Sequence, residues 1–265
     1  MKPTARRAQN PDIVSVNRVH RLTPNMVRIT FSSEDMSVFS DGGVGGYCKL
    51  FLPQPDQTLT DFTAQIARKD RPAVRTYTVR NSRPDLGEID IDFVDHGDNG
   101  PASAWAINAT AGSFCGFAGA NPLKRASFSA DHYLIAADMS ALTMAAATIE
   151  ALPRDAVGSA FFEIETAADK QDIDAPAGLE IHWLVSDNPA CPGAKIVAAI
   201  EEMDWPTGRV QTCFAGESTM ARSLRLYALK EKNLPREDAY ISGYWKFGLV
   251  EDEHKAFKRS EANGA

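Results

Sequence analysis

The stretch Gly87-Glu88-Ile89-Asp90-Ile91-Asp92-Phe93-Val94 alternates without a break. Ile89, Ile91 and Phe93 fall on one side of an extended chain and Asp90 and Asp92 on the other, the period-two pattern of a strand with one buried face. Five more strand-like runs surround it: Asp12 to Leu22 and Asn25 to Phe31, joined by a Thr23-Pro24 turn, then Tyr47 to Leu52, Val74 to Arg80 and Gly112 to Gly119. Short strands separated by turn residues predict an antiparallel β-barrel or sandwich. Only Pro101 to Ala111 reads as helical in this half, with proline at the first position, where its missing N–H does no harm.

Beyond Ser127 to Asp131 the rhythm changes. Strand-like runs at 132–137, 159–164, 180–185, 209–215 and 238–242 alternate with helical patterns at 141–152, 193–203 and 218–230. That alternation predicts a doubly wound parallel α/β domain. The expected organisation is a barrel domain over residues 1–128 and an α/β domain over 129–265, the latter ending in a helix rich in Glu251, Asp252 and Glu253 at its start.

The chain has 265 residues, 44% apolar and 24% charged, enough for two ordinary cores, and a net charge of -7. The acidic balance argues against a nucleic-acid partner. No apolar run is long enough to span a membrane and no secretory h-region follows the N-terminus, so the expected location is the cytoplasm. Cys48, Cys115, Cys191 and Cys213 lie far apart, without a CxxC pair, and read as small core residues rather than metal ligands. Nothing in the sequence demands more than a monomer.

Three segments carry chemistry. In Arg75-Thr76-Tyr77-Thr78-Val79-Arg80, an arginine fork suits a phosphate, a tyrosine ring suits stacking on a flavin, and threonine suits its polar edge. An ordinary polar strand explains the same residues equally well. In His96-Gly97-Asp98-Asn99-Gly100-Pro101-Ala102-Ser103-Ala104-Trp105, a glycine turn opens a helix whose first amides and dipole suit a pyrophosphate. A turn capped by Asp98 or Asn99 is the plainer account. In Gly243-Tyr244-Trp245-Lys246-Phe247-Gly248, aromatics flank a lysine at the end of the last strand, where an aromatic cluster closing the core is the structural alternative.

The three motifs, in this order on a barrel followed by an α/β domain, resemble the siderophore-interacting proteins, FAD-dependent ferric-siderophore reductases of the ferredoxin-reductase-like superfamily. The resemblance runs over about residues 12–259. It implies FAD as cofactor, with Arg75 on its phosphate, Tyr77 on the isoalloxazine, Thr78 at the N5 or O4 edge, and Thr76 on the same strand. It places His96 and Asp98 near the FAD, Gly100, Ala102 and Ser103 at the pyrophosphate, Trp105 beside them, and Trp245 over the flavin. For a bulky, often anionic ferric siderophore, the candidate cations are Lys49, Lys246, Lys255, Lys258 and Arg259. No metal-ligand spacing is evident, so iron stays in the siderophore and the electron crosses from the flavin without a catalytic acid or base.

The turn Ala136-Ala137-Asp138-Met139-Ser140-Ala141-Leu142-Thr143 lacks the glycines that usually admit a nicotinamide dinucleotide after the first α/β strand. Of the two donors that the resemblance implies, ferredoxin is therefore favoured over NAD(P)H. Three rival functions remain: an NAD(P)H-dependent flavin or ferredoxin oxidoreductase, a siderophore-binding protein that catalyses nothing, and a general α/β binding module without flavin, which needs all three motifs to be coincidental.

Overall fold

The computed structural model describes residues 11–33, 35–39, 43–98, 100–121 and 127–249. The chain divides into two compact units, Met1–Leu123 and Lys124–Ala265.

In the first unit six strands close into a barrel. They are β1 (Asp12–Thr23), β2 (Met26–Ser32), β3 (Tyr47–Leu52), β4 (Ala73–Arg83), β5 (Glu88–Val94) and β6 (Phe114–Asn121), and they pair in the order β1-β2-β5-β4-β3-β6. β6 returns to β1 through Val14 opposite Cys115, so the sheet has no open edge. The inward face of β5 fills the barrel with Ile89, Ile91 and Phe93, packed among Ile29, Phe31, Leu50 and Phe117.

The other face of β5 departs from simple expectation. Glu88, Asp90 and Asp92 are also buried. Arg28 forks onto Asp92 at 2.6 and 2.9 Å, and Arg83 reaches Asp90 at 2.6 and 2.7 Å and Glu88 at 3.0 Å. Thr30 and Asn81 also donate to Asp90. Burial opposes ionisation of Asp90, but the bonds from Arg83, Thr30 and Asn81 outweigh it and hold the carboxyl at about 2.

Two helices attach to the barrel. α1 (Leu59–Ala67) corrects the expectation that 101–111 is the one helix of this half. Its signal is local: the Thr58 hydroxyl accepts from Asp61 N, and Phe62, Gln65 and Ile66 form the buried face. α2 (Pro101–Asn108) is shorter than expected, because Ala109 is extended. Trp105 anchors it, stacking on Phe31 with a ring separation of 6.0 Å and meeting Phe93 at the same distance.

The second unit is a five-stranded sheet of β7 (His132–Asp138), β8 (Val157–Ile164), β9 (Gly178–Val185), β10 (Val210–Glu217) and β11 (Ala239–Trp245), all parallel, in the order β11-β10-β7-β8-β9. α4 (Ala194–Glu202) and α5 (Ser218–Leu226) cover Leu134, Ala136 and Phe214 on one face. On the other face Cys213 meets Met144 of α3 (Leu142–Glu150) at 3.5 Å. Helices on both faces make this the doubly wound architecture. Cys48, Cys115 and Cys213 are buried as expected, whereas Cys191 is exposed in the turn that precedes α4. No described helix is long and apolar enough to cross a membrane.

Replacing Arg83, whose side chain is 30% exposed, with methionine removes the guanidinium from two buried carboxylates, leaving Asp90 to Thr30 and Asn81 and Glu88 to Asn17 and Arg18, and is expected to cost about 2 kcal/mol in urea unfolding. Because the Asp90 carboxyl is depressed, its contribution is fully present above about pH 4 and is lost as pH falls through about 2. Acid titration of stability should therefore show the Arg83→Met protein unfolding at higher pH than the parent. Trp105→Ala should cost about 3 kcal/mol by the same unfolding assay, since it empties the contact between α2 and the barrel.

Candidate functional site

β4 carries the first motif, and its pairing with β3 decides what surrounds it. Tyr47 lies opposite Thr78, Cys48 opposite Tyr77, Lys49 opposite Thr76 and Leu50 opposite Arg75. Directly opposed residues share a face. Thr76 and Lys49 are therefore exposed neighbours on the outer surface, with Tyr47 and Thr78 beside them. Thr78 is 8% exposed. Tyr77 is half-buried, its ring 4.4 Å from that of Phe93. Arg75 is half-buried and donates to the Val74 carbonyl at 3.0 Å. Arg80 is buried beside Asn81.

The second motif begins where β5 ends. Asp95 accepts from Arg21 at 2.8 Å and from Gly97 N at 3.1 Å. The Arg21 bond is the main reason that its carboxyl lies below the ordinary range. His96 N donates to the Ser103 hydroxyl at 3.1 Å, so the buried Ser103 side chain ties the turn to its own helix. Gly100 N donates to the Asp98 carbonyl at 2.8 Å. Gly100 is itself the N-cap of α2, at φ 125°, and no described side chain caps the helix. The capped-turn alternative thus fails for Asp98, and Asn99 lies outside the described residues. Ala102 is buried in the first helical turn. Phe93 touches both Tyr77 and Trp105, so one core ring supports both motifs.

The third motif is bound into the α/β sheet. The Trp245 indole N–H donates to Asp138 Oδ2 at 2.8 Å. Lys246 Nζ donates to Thr219 Oγ1 at 2.7 Å and lies 3.7 Å from Glu217 Oε1. Asp138 also accepts from Ser140 N at 2.9 Å, the Ser140 hydroxyl at 2.5 Å and Glu217 N at 2.7 Å. Burial nonetheless pushes its carboxyl up. Glu217, fully buried, takes the amides of Thr219, Met220 and Phe247. Sequence reasoning passed over Glu217 altogether; its one local signal is an acid immediately before the Ser218-Thr219 helix start. Lys255, Lys258 and Arg259 lie outside the described residues. Among the described residues, no group of three or more His, Cys, Asp or Glu is placed to hold a metal ion.

Comparison with known proteins agrees with this architecture. Residues 15–122 match the family model of the siderophore-interacting FAD-binding domain, and residues 130–248 that of the siderophore-interacting protein. The ferric vibriobactin reductase of Vibrio cholerae is 31% identical over 92% of each chain. The crystal structure of a siderophore-interacting protein from Aeromonas hydrophila superposes with a TM-score of 0.81 at 28% identity, covering 96% of this chain and 98% of that one. The NADPH-dependent ferric-chelate reductase of Escherichia coli is 27% identical over 88% of this chain and 91% of its own. A barrel matched by an FAD-binding model, followed by an α/β unit matched by the family's own model, establishes that the chain belongs to the siderophore-interacting protein family, with FAD as its cofactor.

Proposed function

We propose that the chain is a ferric-siderophore reductase that takes electrons from ferredoxin or NAD(P)H and releases iron(II) in the cytoplasm. The observation that carries this reading is the register of β3 on β4, which sets the exposed ammonium of Lys49 beside Thr76 within the flavin motif. An anionic iron complex drawn to Lys49 is thereby brought to the strand that serves the cofactor.

The residues fit FAD. Space is open beside Gly100, since a Cβ built there meets nothing within 4 Å. The start of α2, capped by no described side chain, offers the Ala102 and Ser103 amides to a pyrophosphate, while the Ser103 hydroxyl and His96 N hold the turn that presents them. Arg75 supplies a fork for phosphate. Tyr77, backed by Phe93, offers a ring face, and the Thr78 hydroxyl sits at the polar edge. Asp98 holds Gly100 through its carbonyl. Trp105 fixes the helix from below. When bound, FAD supplies a two-electron store that can release electrons singly. No proton moves in the electron step, so none of these side chains needs to act as acid or base. Iron(II), the softer and less charged ion, is held weakly by a siderophore's hard oxygen donors and leaves. The domain assignment that accompanies this reading is 1–128 for FAD and 129–265 for the reductase domain.

The charge of Lys246 is already partly met by Glu217, so Lys49 is the lysine to test. Photoreduced protein should be reoxidised by a ferric siderophore under anaerobic conditions, with iron(II) appearing in a chromogenic chelator; no reoxidation by any of a hydroxamate and catecholate panel sinks the reading. Lys49→Ala should raise KM for an anionic complex by about tenfold, with Lys49→Arg restoring it and flavin content unaltered. Gly100→Ala forces a side chain into a backbone region that costs about 1–3 kcal/mol, and Tyr77→Ala removes the ring face; both should purify with markedly less flavin by visible absorbance while keeping a folded far-UV spectrum.

A further inference from the structure

An edge strand presents a row of backbone N–H and C=O groups with which a further strand can pair. The barrel has no open edge, but the parallel sheet has two, β11 and β9. At β11 side chains take up part of the row: Arg225 donates to the Ile241 carbonyl at 2.7 Å and Ser218 to the Trp245 carbonyl at 2.8 Å. β9 reads Gly178-Leu179-Glu180-Ile181-His182-Trp183-Leu184-Val185 and pairs with β8 without a register shift. It therefore carries no proline, lysine or bulge, the common means of blunting an edge.

The ladder itself tells which groups face outward. Ser186 N donates to the Ile164 carbonyl at 2.8 Å across the β8–β9 pairing. Successive residues of a strand turn their peptide groups to alternate sides, so Leu184, His182 and Glu180 bond β8, while Leu179, Ile181, Trp183 and Val185 point outward. The two ends are answered. Leu179 N donates to the Pro176 carbonyl at 3.0 Å, and the Val185 carbonyl accepts from Lys195 Nζ at 2.7 Å. Between them the N–H and C=O groups of Ile181 and Trp183 meet no described group. The side chains alternate as well. Leu179, Ile181 and Trp183 lie on the α3 face, with the Trp183 ring 5.1 Å from that of Phe162. Glu180 and His182 lie on the other face, where His182 stacks on Phe161 at 4.7 Å.

We propose that the β9 edge is the surface by which a second copy of this chain docks, the two β9 strands pairing antiparallel about a two-fold axis at Ile181. The side chains select that register, because residues directly opposed across an antiparallel pair share a face. An axis at Glu180 sets two carboxylates together. One at His182 sets two imidazoles together and Glu180 against Leu184, and one at Trp183 sets Glu180 against Ser186 and His182 against Leu184. With the axis at Ile181, Glu180 of each copy meets His182 of the other. On the opposite face Leu179 meets Trp183 on either side of the Ile181 pair, so the apolar row of one copy continues into that of the other. The open backbone groups are met in the same register: Ile181 N donates to the Ile181 carbonyl of the second copy, and Trp183 N to its Leu179 carbonyl, each reciprocally. This inference rests on the α/β unit alone and is independent of the reductase reading. The charge of -7 on each copy opposes association, so the pairing is weak and reversible.

The test is sedimentation velocity of the FAD-loaded protein. A monomer–dimer equilibrium should appear between about 5 and 500 µM, the range of an interface smaller than about 1,200 Å². Ile181→Lys sets two ammonium groups against each other at the axis and should abolish the dimer, with far-UV circular dichroism as the check on folding. Cross-linking reads the register, in a Cys191→Ser background because Cys191 is an exposed native thiol. Opposed residues of a hydrogen-bonded pair have Cα atoms about 5.5 Å apart, within reach of a disulfide. Ile181→Cys should therefore oxidise to a covalent dimer at least about tenfold faster than Val185→Cys, which lies on the same edge but away from the axis. A monomer throughout the concentration range overturns the proposal. So does a dimer that survives Ile181→Lys, or equal cross-linking of the two cysteine variants; if Ile181→Lys does not fold, the cross-linking comparison decides alone.

Discussion

A carboxylate removed from water stays in place only if hydrogen-bond donors meet it, and Asp138 is met by two amides, a hydroxyl and an indole. Those donors come from the turn after β7, from the junction of β10 with α5, and from the end of β11. One side chain thus joins three strands of the parallel sheet at their carboxyl ends. Glu217 extends the arrangement by capping α5 and holding Phe247 N and Lys246. The position of the third motif follows from this network rather than from aromatic packing alone.

The barrel uses the same physics for a different purpose. Arg28 and Arg83 meet the carboxylates of β5, and this lets a strand with three acids be buried on both faces. The inward side of that strand carries Phe93, which touches Tyr77 on β4 and Trp105 on α2. The groups proposed to hold the flavin ring and its pyrophosphate therefore share one rigid support. Preorganisation of this kind lowers the ordering cost of binding a large cofactor.

Much of the architecture was legible because burial of one face imposes a period on the chain. Ile89, Ile91 and Phe93 announce a strand, and the switch to longer apolar runs alternating with helical patterns near residue 130 announces the parallel sheet. α1 was missed although Thr58 and Asp61 mark its start, because nine residues between two strands carry little periodic signal. The placing of Asp90 and Asp92 on the opposite face was right, but their burial was not foreseen. Their burial depends on arginines 64 and 7 residues away in the chain.

The sequence by itself determined the element types, the two-part organisation and the three motifs, since each rests on residues close along the chain. Only the tertiary structure decided that Lys49 stands beside Thr76, that Ser103 secures His96, and that the glycine-free turn after β7 is occupied by a carboxylate whose donors lie 79 and 107 residues away. The physical reason is that local pattern reports which face of an element is buried, whereas the partner of a buried polar group is chosen by how distant strands come into register.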